Sequence, residues 1–166
     1  MRVAYNPSTA HSPSAFEIDF IALNEYIRQV FGTQKKSGCV YSMSNTKTIL
    51  FLEDEAELLT ALGNLLRDQG YDVLEANSAE TALKRLEERV PDLILADIKL
   101  PGIDGFDFFN EVRKKEGFGT VPFVFLTAYN NLAASSLART RGAAEYITKP
   151  FDFEYLVARI KQLLPL

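Results

Sequence analysis

Five short apolar segments alternate with amphipathic stretches between residues 48 and 164. Three of them contain nearly continuous apolar runs (ILFL, LILA and VFL), which is typical of strands buried on both faces of a parallel sheet. The predicted strands are Thr48–Leu52, Tyr71–Glu75, Asp92–Ala96, Val121–Leu126 and Ala144–Thr148. Because parallel strands are joined by right-handed helical crossovers, the sequence predicts an α/β fold: a doubly wound five-stranded parallel sheet with helices on both faces.

The stretches between the strands repeat apolar residues at helical spacing, and Ser78 is placed to cap the second of the predicted helices. The apolar positions are Leu58, Leu62, Leu65 and Leu66 in the first, Ala79, Ala82, Leu83 and Leu86 in the second, Phe109 and Val112 in the third, and Leu156, Val157, Ile160, Leu163 and Leu164 in the last.

Composition excludes several classes of protein. The net charge of −4 and the pI of about 5.1 argue against a protein that binds nucleic acid through phosphate contacts. Cys39 and His11 are the only residues of their types, which excludes a disulfide framework and a Cys/His zinc site and fits a reducing compartment. No apolar run approaches the roughly 18 residues that span a bilayer, and the N-terminus lacks the apolar core of a signal peptide. We therefore expect a cytoplasmic protein with no membrane or nucleic-acid partner.

Chemically active side chains follow four of the five predicted strands. In a doubly wound sheet, ligands bind beyond the carboxyl ends of the strands, near the point where the strand order reverses. The residues at these positions are Glu53, Asp54 and Glu55 after the first strand, Asp97 after the third, Thr127 and Ala128 after the fourth, and Thr148, Lys149 and Pro150 after the fifth. Single acids after strands are commonly helix caps, but capping does not account for the whole set.

A cluster of carboxylates needs positive charge nearby to remain ionised, because like charges repel and burial makes the repulsion worse. Lys149 supplies one positive charge, and a hard divalent cation with oxygen ligands, best matched by Mg²⁺, would supply two more. In such a site Asp97 can attack a phosphoryl group and form an acyl phosphate. Thr127 and Lys149 would contact phosphoryl oxygens, and Ala128 would leave room for the group.

Four segments resemble the receiver domain of two-component response regulators. TILFLEDEAELL is similar to the family's first strand and acidic pair, and PDLILADIKLPGIDGFDF to its phosphoacceptor strand and loop. VPFVFLTAY is similar to the strand that ends in a hydroxyl residue and Ala, and GAAEYITKPF to the aromatic and lysine motif. Because the four occur in family order and at family spacing, the resemblance identifies residues 44–166 as a receiver domain with the flavodoxin-like receiver fold.

The resemblance implies that Asp97 accepts a phosphoryl group from a histidine kinase or a histidine phosphotransfer protein. Mg²⁺ would be bound by Asp54, by Asp97 and by the backbone carbonyl of Lys99, and Glu53 would reach the metal through water. Glu53 stands where the family frequently has Asp, so we expect a slightly altered metal geometry.

The resemblance also implies that Thr127 and Lys149 hold the phosphoryl group, and that the Lys149–Pro150 peptide bond is cis. Tyr146 would turn inward when Thr127 moves toward the phosphoryl group. The expected result is a switch, not an enzyme, with at most slow self-dephosphorylation. It would act on an output protein or a second copy through the face of helix 4, strand 5 and helix 5, where the charged residues are Arg139, Arg141, Glu145 and Arg159.

Other functions fit parts of the pattern. A Mg²⁺-dependent hydrolase with an aspartyl-phosphate intermediate is one, although Asp97 is followed by Ile98 and Lys99 and not by the Asp-x-Asp motif of haloacid-dehalogenase-type phosphatases. Another is an interaction module that binds partners without being phosphorylated. Such a module would not need all the residues for phosphoryl transfer, yet the complete set is present: Glu53, Asp54, Asp97, Thr127 and Lys149. A flavodoxin-like FMN carrier lacks support, because no Ser/Thr/Gly loop follows the first strand. Since the last predicted helix reaches the end of this sequence, we expect output to come from a partner, from onward phosphoryl transfer or from a domain outside this sequence.

Residues 1–43 form an N-terminal extension to which the resemblance does not reach. A capping-box pattern begins at Ser14, and apolar residues then fall near one face of a helix. They are Phe16, Phe20, Leu23, Ile27, Val30 and Phe31. Three interpretations stay open: a helix that binds a partner, a helix that packs on the domain, and a non-native segment without a role that ends before a natural start at Met43.

Overall fold

The described residues of the computed structural model, 46–128 and 132–166, form strands and helices in strict alternation. The strands are β1 (Thr48–Leu52), β2 (Asp72–Ala76), β3 (Leu93–Ala96), β4 (Phe123–Thr127) and β5 (Glu145–Thr148). The helices are α1 (Ala56–Asp68), α2 (Ala79–Glu88), α3 (Gly105–Lys114), α4 (Leu132–Thr140) and α5 (Phe153–Leu163). The helix predicted near the N-terminus lies outside the described residues.

All five strands are parallel and lie in the order β2-β1-β3-β4-β5. The chain winds from β1 to β2 on one side and then returns to place β3 on the other side of β1. The strand order therefore reverses between β1 and β3, which puts the crevice expected for a ligand at the carboxyl ends of these two strands. The doubly wound α/β fold predicted from the sequence is confirmed.

Predicted and observed strand limits differ by one or two residues at most. β1 has the predicted limits, whereas β4 begins at Phe123 instead of Val121. Pro122 has no backbone N–H for the sheet ladder, although its carbonyl accepts a hydrogen bond from Ile94 N at 2.9 Å. Ser78 caps α2 as predicted, and its hydroxyl accepts a hydrogen bond from Thr81 N.

Side chains of successive strand residues enter two separate cores, one on each face of the sheet. The core under α1 and α5 includes Ile49, Phe51, Leu95, Val124, Leu62 and Leu156. The core under α2, α3 and α4 includes Leu50, Ile94, Phe123, Phe125, Phe109 and Ala138. Burial on both faces explains why the strands appear in the sequence as continuous apolar runs. Within the described residues, no helix is both long and apolar enough to cross a membrane.

Candidate functional site

Four strands deliver the predicted site residues to one edge of the sheet. Glu53 and Asp54 directly follow β1, Asp97 follows β3, Thr127 ends β4, and Lys149 follows β5. Backbone hydrogen bonds fix two of these positions: Asp97 N donates to Leu52 O at 2.9 Å and Lys149 N donates to Thr127 O at 2.8 Å. The hydrogen bonds between neighbouring strands thus extend to Asp97 and Lys149, the first residues beyond the ends of β3 and β5.

The three predicted carboxylates form a compact group. Glu53, Asp54 and Asp97 each contribute an oxygen to a set whose members lie within 4.8 Å of one another. Glu53 is 1 % exposed and Asp97 is 5 % exposed, whereas Asp54 is exposed. The Glu53 and Asp97 carboxylates therefore have little access to water, whereas the Asp54 carboxylate is exposed to solvent.

The positive charge of Lys149 offsets the negative charge of the two buried carboxylates, Glu53 and Asp97. Its Nζ donates to Glu53 Oε2 and to Asp97 Oδ2, both at 2.6 Å. Burial by itself would lower the pKa of Lys149, but the two carboxylates outweigh it and raise this pKa above its usual value. Burial raises the pKa of Glu53 to about 7, in opposition to the Lys149 ammonium. The sequence predicted that Lys149 would join the cluster, but not that it would be shared with Glu53.

The second oxygen of Asp97 is held by the backbone of the following loop. Oδ1 accepts hydrogen bonds from Ile98 N at 2.5 Å and from Lys99 N at 3.0 Å. These two bonds and the contact with Lys149 fix the orientation of the carboxylate. The backbone N–H of Lys99 is thus a contact of Asp97, whereas the predicted role of the Lys99 carbonyl remains a prediction.

Gly105 lets the loop after Asp97 fold back tightly. Its N–H donates to Ile98 O at 2.9 Å. A Cβ atom at this position would lie 2.2 Å from Asp97 O and 2.6 Å from the Ile98 Cα. Gly105 was predicted to lie in the turn, but this close approach depends on the folded loop and leaves no signal in the sequence.

The two remaining site residues lie in the core beneath the edge. Thr127 is fully buried at the end of β4. Tyr146 pairs with Phe125 across the β4–β5 ladder and is 8 % exposed, and its ring centroid lies 6.1 Å from that of Phe125. The aromatic ring therefore occupies a buried position in this structure. The Lys149–Pro150 peptide bond is cis, as predicted.

The donor set fits a magnesium ion. It consists of carboxylate oxygens, the ligands that Mg²⁺ prefers, and Asp54 leaves one side open for the water that this ion retains. Three carboxylates against one ammonium also leave a net negative charge, which a divalent cation would balance.

Comparison with known proteins agrees with this geometry. The family model described as "Response regulator receiver domain" matches residues 49–161. Transcriptional regulatory protein AfsQ1 of Streptomyces coelicolor is 38 % identical over 117 residues, which are 70 % of this chain and 51 % of that protein. Alkaline phosphatase synthesis transcriptional regulatory protein PhoP of Bacillus subtilis is 37 % identical over 118 residues, which are 71 % of this chain and 48 % of that protein. The chain thus spans about half the length of these relatives.

Solved structures give the same result. The non-phosphorylated HemR receiver domain from Leptospira biflexa superposes with a TM-score of 0.68 at 31 % identity, covering 73 % of this chain and 96 % of that domain. The receiver domain of NtrX from Brucella abortus superposes with a TM-score of 0.64 at 30 % identity, covering 70 % and 97 %. Because the family model matches more than half of the chain and the solved receiver domains share its fold, this chain belongs to the response regulator receiver domain family.

Proposed function

We propose that this chain is the phosphoacceptor of a two-component pathway, in which Asp97 takes a phosphoryl group from a histidine kinase or a histidine phosphotransfer protein. One observation carries the proposal: the Lys149 ammonium lies 2.6 Å from a carboxylate oxygen of both Asp97 and Glu53, beside the exposed Asp54. A cation that already contacts the acceptor carboxylate is placed to stabilise negative charge as it develops on an incoming phosphoryl group.

In the proposed step, a carboxylate oxygen of Asp97 attacks the phosphorus atom of phosphohistidine. A P–O bond forms as the P–N bond breaks, and the leaving imidazole nitrogen keeps the electron pair and takes up a proton from solvent. The two N–H groups on Asp97 Oδ1 hold the carboxylate plane while the step proceeds. Lys149 would exchange its contact with Asp97 for one with a phosphoryl oxygen, and Thr127 would donate its hydroxyl to another.

Asp54, Asp97 and the Lys99 carbonyl would hold Mg²⁺ in the proposed site, with Glu53 acting through water. The ion would supply positive charge between the acceptor carboxylate and the incoming phosphoryl oxygens. Glu53 would keep one oxygen for Lys149 and direct the other toward the metal's water shell. Its extra methylene, relative to Asp, would let one side chain serve both partners.

Labelling tests the acceptor directly. The chain is incubated with Mg²⁺ and phosphoramidate, whose P–N bond stands in for that of phosphohistidine, and intact mass is measured. The wild type should gain one phosphoryl group and Asp97→Asn should gain none. Asp107→Asn makes the same chemical change on the exposed first turn of α3 and should be labelled like the wild type. Labelling of Asp97→Asn at the wild-type level would contradict the proposal.

The alternatives predict different kinetics. A hydrolase would release many equivalents of inorganic phosphate per protein molecule, whereas we expect a labelled protein that loses phosphate slowly. An interaction module independent of phosphorylation would not be labelled at all. Phosphate release and mass, followed in one time course, therefore separate the three functions.

Output is proposed to occur through α4, β5 and α5. Thr127 would move toward the phosphoryl group, and the buried Tyr146 ring would adjust in the space beside Phe125. An output protein or a second copy would then bind the altered surface. We also propose that the protein is cytoplasmic and that it binds neither a membrane nor nucleic acid directly.

A further inference from the structure

Strand β2 leaves one edge of the sheet without a neighbouring strand. It comes first in the order β2-β1-β3-β4-β5, and no described strand lies beyond it. On the inner side of β2, Asp72 N donates a hydrogen bond to Lys47 O at 2.9 Å. Because backbone groups alternate in direction along a strand, those of Val73 and Glu75 point outward, away from β1. An edge of this kind is a template on which another strand can pair.

The guanidinium group of Arg67 covers the middle of this edge. Arg67 belongs to α1, yet its Nη2 donates to Val73 O at 3.1 Å. Its Nη1 forms an ion pair with Glu75 Oε1 at 2.7 Å. The Arg67 side chain is 41 % exposed, so these contacts lie at the surface, where a partner strand would arrive. One planar group thus occupies an outward main-chain carbonyl and is held in place by the side chain of the next outward residue.

Gly63 makes room for the pair formed by Arg67 and Glu75. It is buried in the middle of α1, a position where glycine is less favourable than alanine. A Cβ atom there would lie 2.4 Å from Glu75 Oε1 and 3.3 Å from Arg67 Nη1. The space that glycine leaves is therefore filled by the Glu75 carboxylate, which in turn positions the Arg67 guanidinium against the edge.

A second arginine contacts β2 in a different way. Arg89 Nη1 donates to Asp72 Oδ2 at 2.7 Å, at the start of the strand. This contact joins two side chains, whereas the contact of Arg67 with Val73 occupies a backbone group that strand pairing would need. The two arginines therefore carry the same charge, but Arg67 covers an outward carbonyl of the edge.

We propose that Gly63, Arg67 and Glu75, here called the edge guard, keep the chain from pairing with a second copy through the outer edge of β2. A two-fold axis would bring the two β2 strands together in antiparallel directions and join both sheets into one. In that arrangement Val73 O would accept from an N–H of the second copy, so the guanidinium of Arg67 would have to be displaced first. This inference does not depend on the proposed function, because β2 and β5 lie at opposite edges of the sheet.

Sedimentation velocity of the full chain over a wide concentration range measures self-association, and hydrogen exchange of backbone amides in the same samples locates the contact. Arg67→Ala should self-associate at least about tenfold more tightly than the wild type. In the associated form, the Val73 and Glu75 amides should exchange at least about tenfold more slowly. The substitution makes the net charge more negative than −4, so a change in charge alone would oppose association.

Two further variants separate edge coverage from loss of charge. Gly63→Ala keeps every charge, but its Cβ atom would displace the Glu75 carboxylate and with it Arg67, so it should promote association in the same direction. Arg89→Ala removes the same charge as Arg67→Ala from an ion pair with β2, and it should sediment like the wild type.

Wild-type sedimentation of Arg67→Ala would overturn the proposal, and so would association that leaves the Val73 and Glu75 amides unprotected. Equal association of Arg89→Ala would also overturn it, since the effect would then come from lost positive charge and not from an uncovered carbonyl. Thermal denaturation shows which variants are folded. If Arg67→Ala does not fold, Gly63→Ala decides the question by the same two measurements.

Discussion

Glu53 and Asp54 are neighbours in the sequence, but the fold places them in different environments. Glu53 is buried and already contacts the Lys149 ammonium at 2.6 Å. Asp54 is exposed, and no described residue forms an ion pair with it. A carboxylate without a competing cation is the better direct ligand for a metal, because nothing must be displaced for it to bind.

We therefore predict that Asp54→Ala loses Mg²⁺ affinity by at least about tenfold, and that Glu53→Ala loses clearly less. Titration of each variant with MgCl₂, followed by amide chemical shifts, measures both values. Glu57→Ala on the exposed first turn of α1 is the control, and its affinity should match that of the wild type. If Glu53→Ala proves the more damaging change, the two acids have exchanged roles.

Asp92 ties the start of β1 to the start of β3. Its Oδ2 accepts from Thr48 N at 2.8 Å and its Oδ1 accepts from Lys47 Nζ at 3.0 Å. Burial by itself would raise the pKa of Asp92, but the Thr48 N–H and the Lys47 ammonium outweigh it, and the pKa falls below its usual value. A carboxyl with a lowered pKa in the folded state stabilises the fold above its unfolded pKa and loses that contribution as the pH falls.

We predict that Asp92→Asn lowers the free energy of unfolding by about 1 kcal/mol at pH 7. The difference from wild type should shrink as the pH falls below the unfolded-state pKa of an Asp side chain, about 4, and on through the lowered pKa of Asp92 in the folded protein. Urea denaturation at neutral and acidic pH gives both differences. A difference that grows in acid would show that the carboxylate is not the stabilising form.

Residue types and strand order were sufficient to predict which side chains would gather, but not how they would pair. Asp97 and Lys149 were placed together because each follows a strand of a parallel sheet. The contact of Lys149 with Glu53 depends on side-chain length and on the position of β5, which no local pattern contains. The same holds for Glu145, which was expected at the surface and instead lies between Arg139 and Arg159.

At the scale of elements, the loop between β3 and α3 connects the acceptor, which directly follows β3, to the start of α3. Gly105 starts α3 where its backbone crosses that of Asp97 and Ile98. Any side chain there would push the helix start away from the acceptor. By contrast, a Cβ atom at Gly119 would meet no atom within 4 Å.

Gly105→Ala should therefore destabilise the fold by about 2 kcal/mol, the usual magnitude for an overpacked site, and reduce labelling of Asp97. Gly119→Ala serves as the matched control and should change neither property. Thermal denaturation and phosphoramidate labelling provide the two measurements. Wild-type stability in Gly105→Ala would mean that the loop relaxes without cost.

A strand or helix could be predicted where its buried residues form a regular apolar pattern in the sequence. The strands appear as apolar runs because both faces of the sheet are covered. The segment of α4, LAASSLART, is made largely of small residues and shows no apolar stripe of the kind seen in the other helices. The sequence also did not predict the contacts of Arg113. Its guanidinium donates hydrogen bonds to Val121 O at 2.9 Å and to Gly142 O at 3.1 Å, which are distant in the sequence and come together only in the folded chain.

At the scale of the whole molecule, a series of contacts among the described residues leads from the acceptor to Glu145, which Arg139 and Arg159 hold at the start of β5. Lys149 contacts Asp97 through its side chain and Thr127 through its backbone. The next layer is the Phe125–Tyr146 ring contact, and the Tyr146 N–H donates to Glu145. A shift of Lys149 toward a phosphoryl group would therefore reach α4 and α5 through packed and hydrogen-bonded neighbours.

We predict that Mg²⁺ with beryllofluoride, whose beryllium and fluorine atoms stand in for phosphorus and its oxygens, changes amide chemical shifts along α4 and β5 as well as near Asp97. The reason is that a ligand which takes Lys149 from Asp97 favours one of two arrangements of the contacts that follow it. Comparison of ¹⁵N–¹H spectra with and without the adduct measures the effect, and Asp97→Asn should show no such change. Shifts confined to the loops around Asp54 and Asp97 would mean that the acceptor is occupied without any response in α4 and β5.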